Sequence, residues 1–116
     1  MLRYRLSALA RADIASVLRA SETMHGAEAR LRYRALLTAA LKRIAADPQG
    51  ISTSDRSELF DGVRSFHIRH ARADSREAAV ASPVHVIFYR ASEPGVVEII
   101  RVLHERMEPS RYVSSE

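Results

Sequence analysis

The chain has no cysteine. Disulfide stapling, thiolate zinc sites and cysteine nucleophiles are excluded together, and a reducing cytoplasm is the expected setting. Lysine is nearly missing too: Lys42 stands alone among 18 basic residues, and arginine supplies the others. An arginine-rich codon bias would explain this. So would a surface suited to bidentate pairing with carboxylates or phosphates, which arginine does better than lysine. No stretch approaches the roughly 18 apolar residues that span a bilayer. Met1-Leu2-Arg3-Tyr4-Arg5-Leu6 places charge where a secretory leader needs an apolar core. A cytoplasmic chain with no membrane partner is expected.

What is present is enough for one folded domain. In 116 residues, 47% are hydrophobic and 28% charged, which argues against disorder. The net charge is +4 and the pI about 10.1. This excess is local: residues 1–47 carry 9 basic and 4 acidic side chains, 48–95 carry 6 of each, and 96–116 carry 3 and 4. It forms neither a one-sided stripe nor an aromatic-studded groove of the kind that reads nucleic acid. Arg30, Arg32 and Arg34, two apart on a helix, are spread around it by about 200° per step.

Hydrophobic periodicity lays out the elements. Leu2, Tyr4 and Leu6 alternate with Arg3, Arg5 and Ser7, the period of a half-exposed strand. Ser7 is a candidate N-cap for a helix running to about Met24, and His25-Gly26 breaks it. In a second helix, about 27–46, Tyr33, Leu36, Leu37, Ala40, Leu41 and Ile44 form one stripe, which is expected to be core. Asp47-Pro48-Gln49-Gly50 stops it, and the short connection predicts an antiparallel hairpin. Residues 51–62 read as a loop with Leu59 and Phe60 as anchors. Strands are predicted at 63–69, 84–90 and 96–104, with a polar, mobile excursion at 71–83 and a hairpin turn at Glu93-Pro94-Gly95. The last two strands are apolar almost throughout, so both their faces should be covered. The predicted class is α+β, ordered β-α-α-β-β-β: a helical hairpin (about 8–46) packed on a small, mainly antiparallel sheet whose meander runs 63–104. A tail, 105–116, completes a single domain of 1–116.

Simple chemistry finds little purchase. His67 and His70 are three apart, so on a strand they point to opposite faces and cannot chelate together without a bend. No carboxylate or cysteine completes a ligand set, and no metal site is expected. There is no Gly-x-Ser-x-Gly elbow and no glycine-rich phosphate loop, so no cofactor is expected either.

Several segments together resemble the RelE/ParE toxin family of bacterial type II toxin–antitoxin systems, nearer its ParE branch. They are Ala12-Asp13-Ile14; Ala29, Tyr33, Leu36 and Leu41; Asp47-Pro48-Gln49-Gly50; Glu58-Leu59; and Gly62-Val63-Arg64-Ser65-Phe66. The most specific are His85-Val86-Ile87-Phe88-Tyr89-Arg90 and Ile99-Ile100-Arg101-Val102-Leu103-His104 with Met107. The excursion at 71–83 is longer than the tight turn common in ParE-like chains. The resemblance implies a toxin neutralised by a cognate acidic, ParD-like antitoxin, with operator DNA met only through that antitoxin. It implies DNA gyrase as the target, and growth inhibition as the outcome. The antitoxin would lie on the hairpin, at Arg11, Ile14, Leu18, Arg30, Tyr33, Arg34 and Leu37, and the target contact would involve Arg106, Met107, Arg111 and Tyr112. The basic hairpin then reads as complementarity to an acidic protein. Two alternatives stay open. A RelE-type, ribosome-dependent mRNA endonuclease would need groups for proton transfer and for the phosphorane charge. Arg64, His85, Arg106, Arg111 and Tyr112 are the candidates, though His85 shares a strand face with Ile87 and Tyr89, which favours a half-buried structural histidine. The other alternative is a non-toxic relic that only binds an antitoxin.

Overall fold

The computed structural model describes residues 3–74 and 80–114, and places two helices on one face of a five-stranded mixed sheet. The elements are β1 (Arg3–Leu6), α1 (Ala8–His25), α2 (Ala27–Ala46), β2 (Ser54–Asp55), β3 (Arg64–His67), β4 (His85–Glu93) and β5 (Val96–His104). The spatial order of strands is β1-β5-β4-β3-β2. β1 runs parallel to β5, with Arg3 beside Val96 and Leu6 beside Ile99, and every other pairing is antiparallel. The α+β hairpin-on-sheet architecture is the expected one.

Local chemistry sets the boundaries. The Ser7 hydroxyl accepts from the Ala10 N–H at 3.0 Å, capping α1, and donates to the Ile100 carbonyl at 2.8 Å, so the helix start is tied to β5. Gly26, at φ +96° and ψ 172°, ends α1 and begins α2 in a region of backbone space that is essentially glycine's alone. The segment between the helices and β3 contains the two-residue strand β2, paired Ser54–Ser65 and Asp55–Arg64, where only a loop was expected. Two residues are too short a run for a periodicity to register. β3 ends at His67, earlier than expected, because the chain turns into a 3-10 segment, Ile68–Asp74. Ile68 and Ala71 are fully buried in the helix-side core, so this first part of the predicted excursion is packed structure. Residues 75–79 of that excursion lie outside the described residues. β4 runs three residues beyond the expected end, to Glu93, and Gly95 at φ +79° makes the turn into β5.

The sheet buries both faces, as the continuous apolar strands require. On the helix side, Leu36, Leu37, Ala40, Leu41 and Ile44 of α2 meet Phe66, Ile87, Tyr89, Val97, Ile99 and Val102. Full burial of one such aliphatic side chain contributes about 1.5–3 kcal/mol. On the far side a smaller cluster joins Val63, Phe88, Ile100, Leu103 and Val113, with Leu59, Phe60 and Met107 packed against it. Leu59 and Phe60 are thus the anchors of their loop. Phe88 sits opposite Arg101 while Tyr89 sits opposite Ile99, so Ile100 is an extra residue in β5. This bulge lets Val97, Ile99 and Val102 share the helix side despite their mixed parity.

Candidate functional site

Past Ile99, β5 has no strand beside it on the β1 side, and α1 supplies the missing partners. The Ser7 N–H donates to the Ile99 carbonyl at 3.0 Å. Two turns into the helix, Asp13 accepts from the Val102 N–H at 2.9 Å and from Arg101 Nε and Nη2 at 2.7 and 2.8 Å. A sheet edge that would otherwise stand open is closed by a charge-assisted, three-bond contact. The aspartate in turn holds the Arg101 guanidinium above its ordinary pKa by hydrogen bonding. Arg101 also donates to the Tyr112 carbonyl at 3.1 Å, and its guanidinium lies 5.8 Å from the centre of the Tyr112 ring. The C-terminal tail is thereby fixed to the body of the fold.

The far side of the sheet carries arginines laid on aromatic rings. Arg56 stands 5.4 Å from the Phe88 ring and Arg90 5.3 Å from the Phe60 ring. Arg90 Nε is buried and 3.4 Å from Glu98 Oε1, an ion pair that lacks hydrogen-bond geometry. Between this face, the start of α1 and the tail lies a groove of about 240 Å³, lined by Leu9, Phe60, Arg90, Ile100, Arg101 and Tyr112 among others. Tyr112 is 37% exposed there, Arg106 and Arg111 are exposed, and Met107 is half-buried against the far-side cluster. Of the four residues expected at a target contact, Tyr112 lines this groove, Met107 packs on the far-side cluster, and Arg106 lies beside His104.

Of the five residues named for a nuclease, only Arg106 comes near His85, its N–H donating at 3.1 Å to His104, whose ring centre is 5.6 Å from that of His85; the other three lie apart. Arg64 pairs with Tyr89 at one end of β3, and its Nη2 donates to Thr53 Oγ1 at 2.8 Å. His85 lies four residues back along β4, about 13 Å away at roughly 3.3 Å per residue. The His85 ring faces the helices, where its Nδ1 meets the Tyr33 hydroxyl at 2.6 Å. Burial pushes its pKa down to about 4, and nearby His104 and His67 push the same way. Arg111 and Tyr112 belong to the far side. His67 and His70 do approach, with ring centres 6.5 Å apart, because β3 bends into the 3-10 segment. Yet His67 Nδ1 accepts from the Arg69 N–H at 3.1 Å and its Nε2 contacts Glu105 at 2.7 Å, which leaves no free lone pair for an ion. Among the described residues, no group of three or more histidine and acidic side chains could hold a metal.

On the helical hairpin, Arg11 and Arg34 are exposed, Ile14, Arg30 and Tyr33 are partly exposed, and Leu18 and Leu37 are core residues at 7% and 2% exposure. The stripe's outer edge, rather than its centre, is what a partner can touch. Arg30 pairs with Glu22 across the helices at 3.0 Å and Arg32 with Glu28 at 4.0 Å. Among the described residues, Arg11, Arg19 and Arg34 have no carboxylate partner, so the hairpin's outer surface keeps its positive charge. The Asp13–Arg101 clamp and the arginine–aromatic stacks were not singled out by sequence reasoning. Both join residues far apart in the chain, 88 positions in the first case, and no local pattern announces them.

Comparison with known proteins agrees with this architecture. Residues 4–109 match the family model for the ParE toxin of type II toxin–antitoxin system, parDE. Toxin ParE1 of Caulobacter vibrioides is 38% identical over 108 residues, covering 92% of this chain and 93% of the relative. Toxin ParE of Escherichia coli is 33% identical, covering 93% and 89%, and Toxin ParE1 of Mycobacterium tuberculosis is 28% identical, covering 94% and 95%. A full-length match of this kind, carried by a chain with the strand, helical hairpin and strand order expected of the family, means that the protein belongs to the ParE toxin family of type II toxin–antitoxin systems.

Proposed function

We propose that this chain is the toxin of a type II pair, neutralised by a cognate acidic antitoxin seated on the helical hairpin, and that it inhibits DNA gyrase by binding, without nuclease chemistry. The observation that carries the non-enzymatic reading is the dispersal of Arg64, His85, Arg111 and Tyr112 over two faces and both ends of the sheet. Attack by an RNA 2′-hydroxyl needs its base, acid and cations converging within hydrogen-bond reach of one phosphate. His85 is also poorly suited to the task, since its Nδ1 is occupied and its pKa is low.

Charge supports the antitoxin reading. Arg11, Arg19 and Arg34, without an ion pair among the described residues, lie on the hairpin, and positive potential there speeds encounter with an acidic segment. Arg106, Met107, Arg111 and Tyr112, of which Tyr112 lines the far-side groove, are the proposed target contact. Induction of the chain in cells lacking an antitoxin, with DNA breaks and protein synthesis followed separately, tests both points. Growth arrest with DNA damage and continuing translation is expected. Arrest with ribosome-dependent mRNA cleavage would replace this reading with the nuclease, and absence of arrest would leave only an antitoxin-binding relic.

A further inference from the structure

Four of the chain's five histidines, all but His25, gather at one end of the sheet. His67 ends β3, His85 begins β4, His104 ends β5, and His70 lies in the following 3-10 segment. Backbone hydrogen bonds fix, for two of them, which ring nitrogen carries the proton. His67 Nδ1 accepts from the Arg69 N–H, and His104 Nδ1 accepts from the Arg106 N–H, both at 3.1 Å. A backbone N–H can only donate, so each Nδ1 is bare and each neutral ring holds its proton on Nε2.

A third histidine sits in a contact with a mechanical consequence. At His85, the Tyr33 oxygen accepts from the Val84 N–H at 3.1 Å, and its hydroxyl, 2.6 Å from His85 Nδ1, is placed to donate there while that nitrogen is bare. The three groups form a chain, Val84 N–H to Tyr33 O–H to His85 Nδ1, that joins the middle of α2 to the start of β4. The two rings meet edge to face with centres 5.5 Å apart. The chain works only while Nδ1 is bare. A proton there makes the imidazole a donor, so the Tyr33 hydroxyl must turn its own proton away from Nδ1, and the chain in which it donates to His85 while accepting from Val84 is lost. The groups facing His85 come from every neighbouring element: Tyr33 on α2, Asp13 on α1, His67 on β3, His104 on β5 and Glu105 just after it. The two histidines are themselves chargeable, and Glu105 is engaged by His67 Nε2, so no free carboxylate on these elements waits to receive the new imidazolium.

We propose that the Val84–Tyr33–His85 chain is an acid-released clasp, holding the hairpin helix α2 to the end of the sheet at neutral pH and letting go when His85 takes a proton on Nδ1. The proton adds to the ring from solvent, no covalent bond breaks, and the Tyr33 hydroxyl and Val84 amide become free to exchange with water. Because the clasp spans the hairpin and the sheet, its release loosens the docking of α2 and leaves the secondary structure in place.

An NMR titration of the intact, isotopically labelled chain from pH 7.5 to 3.5 tests this. At neutral pH, His85 Nδ1 should give the nitrogen shift of an unprotonated acceptor, and His85 should titrate below the ordinary histidine value of 6.5. The protection factor of the Val84 amide should fall at least tenfold across the His85 titration. In His85→Gln the side-chain carbonyl still accepts from Tyr33 but takes up no proton, so Val84 protection should stay constant over that range. His25→Gln should keep the wild-type profile. In Tyr33→Phe, Val84 should be unprotected at every pH and the His85 midpoint should rise. Val84 protection that is unchanged through the His85 titration would overturn the clasp. So would a His85→Gln chain that still loses protection as the wild type does, since the titrating group would then lie elsewhere.

Discussion

Asp13 and Arg101 show how much of this fold hangs on single side chains. Their side chains are 14% and 15% exposed, and the carboxylate satisfies both the guanidinium and the Val102 N–H at a sheet edge. Removing one partner of a nearly buried pair costs more than the pair is worth, because the other is left desolvated and unpaired. Asp13→Ala should lower stability by about 3 kcal/mol, read as a reduced urea midpoint, whereas an exposed pair such as Arg32–Glu28 should cost under about 0.5 kcal/mol when broken. Equal effects from the two substitutions would contradict the clamp. His85 makes a second prediction at this scale. Its ordinary pKa of 6.5 drops to about 4 in the fold, chiefly through burial. The unfolded chain gains a proton below about pH 6.5 that the folded chain refuses until about pH 4, so stability contributed by the neutral ring is full above pH 6.5 and is lost as pH falls to 4. At about 1.36 kcal/mol per pH unit, the loss reaches roughly 3 kcal/mol. Urea midpoints at pH 7.5, 6 and 4.5 should decline in His25→Gln as in the wild type and stay flatter in His85→Gln.

At the scale of elements, the two helix boundaries and the sheet edge carry the architecture. Gly26 joins the helices without any spacer residue, at a backbone angle that a side chain resists even though open space surrounds it. Gly26→Ala should therefore cost about 1–3 kcal/mol through backbone strain alone, measurable as a lower thermal midpoint with an unchanged far-ultraviolet spectrum. A neutral result would mean that the turn has another conformation. The hairpin was legible in the sequence because its signals are local: Ser7 before the first helix, Gly26 between the two, and the stripe from Leu36 to Ile44. The last strand was legible to the residue, since Val96 to His104 is apolar but for Glu98, Arg101 and His104 and is preceded by a Pro-Gly turn. β2 was not, because its pairing depends on Ser65 and Arg64 across the loop rather than on its own pattern. The early end of β3 was missed because Ile68 and Ala71 satisfy either a strand or a 3-10 turn until α2 is present to pack on them. Leu18 and Leu37, named for the antitoxin contact, lie in the core, as the α2 stripe had implied for Leu37.

Across the whole molecule, the charge is partitioned. The basic excess belongs to residues 1–47, and among the described residues the basic side chains there without an ion pair are Arg3 of β1 and Arg11, Arg19, Arg34 and Lys42 of the hairpin. If this surface meets an acidic antitoxin, Arg11→Glu with Arg34→Glu should slow association at least tenfold at low salt, with a smaller change in dissociation, and the difference should shrink as salt rises. Surface plasmon resonance across a salt series separates these rates, and an association rate insensitive to both salt and charge reversal would remove the electrostatic part of the account. On the proposed reading, the far side of the sheet, with its groove beside Tyr112, would meet the target. The most direct measurement is a supercoiling assay with the purified chain, DNA gyrase and relaxed plasmid, run beside a ribosome-dependent mRNA cleavage assay. Loss of supercoiling or accumulation of cleaved plasmid, with mRNA intact, is the predicted result. Full gyrase activity at high molar excess of the chain would contradict it.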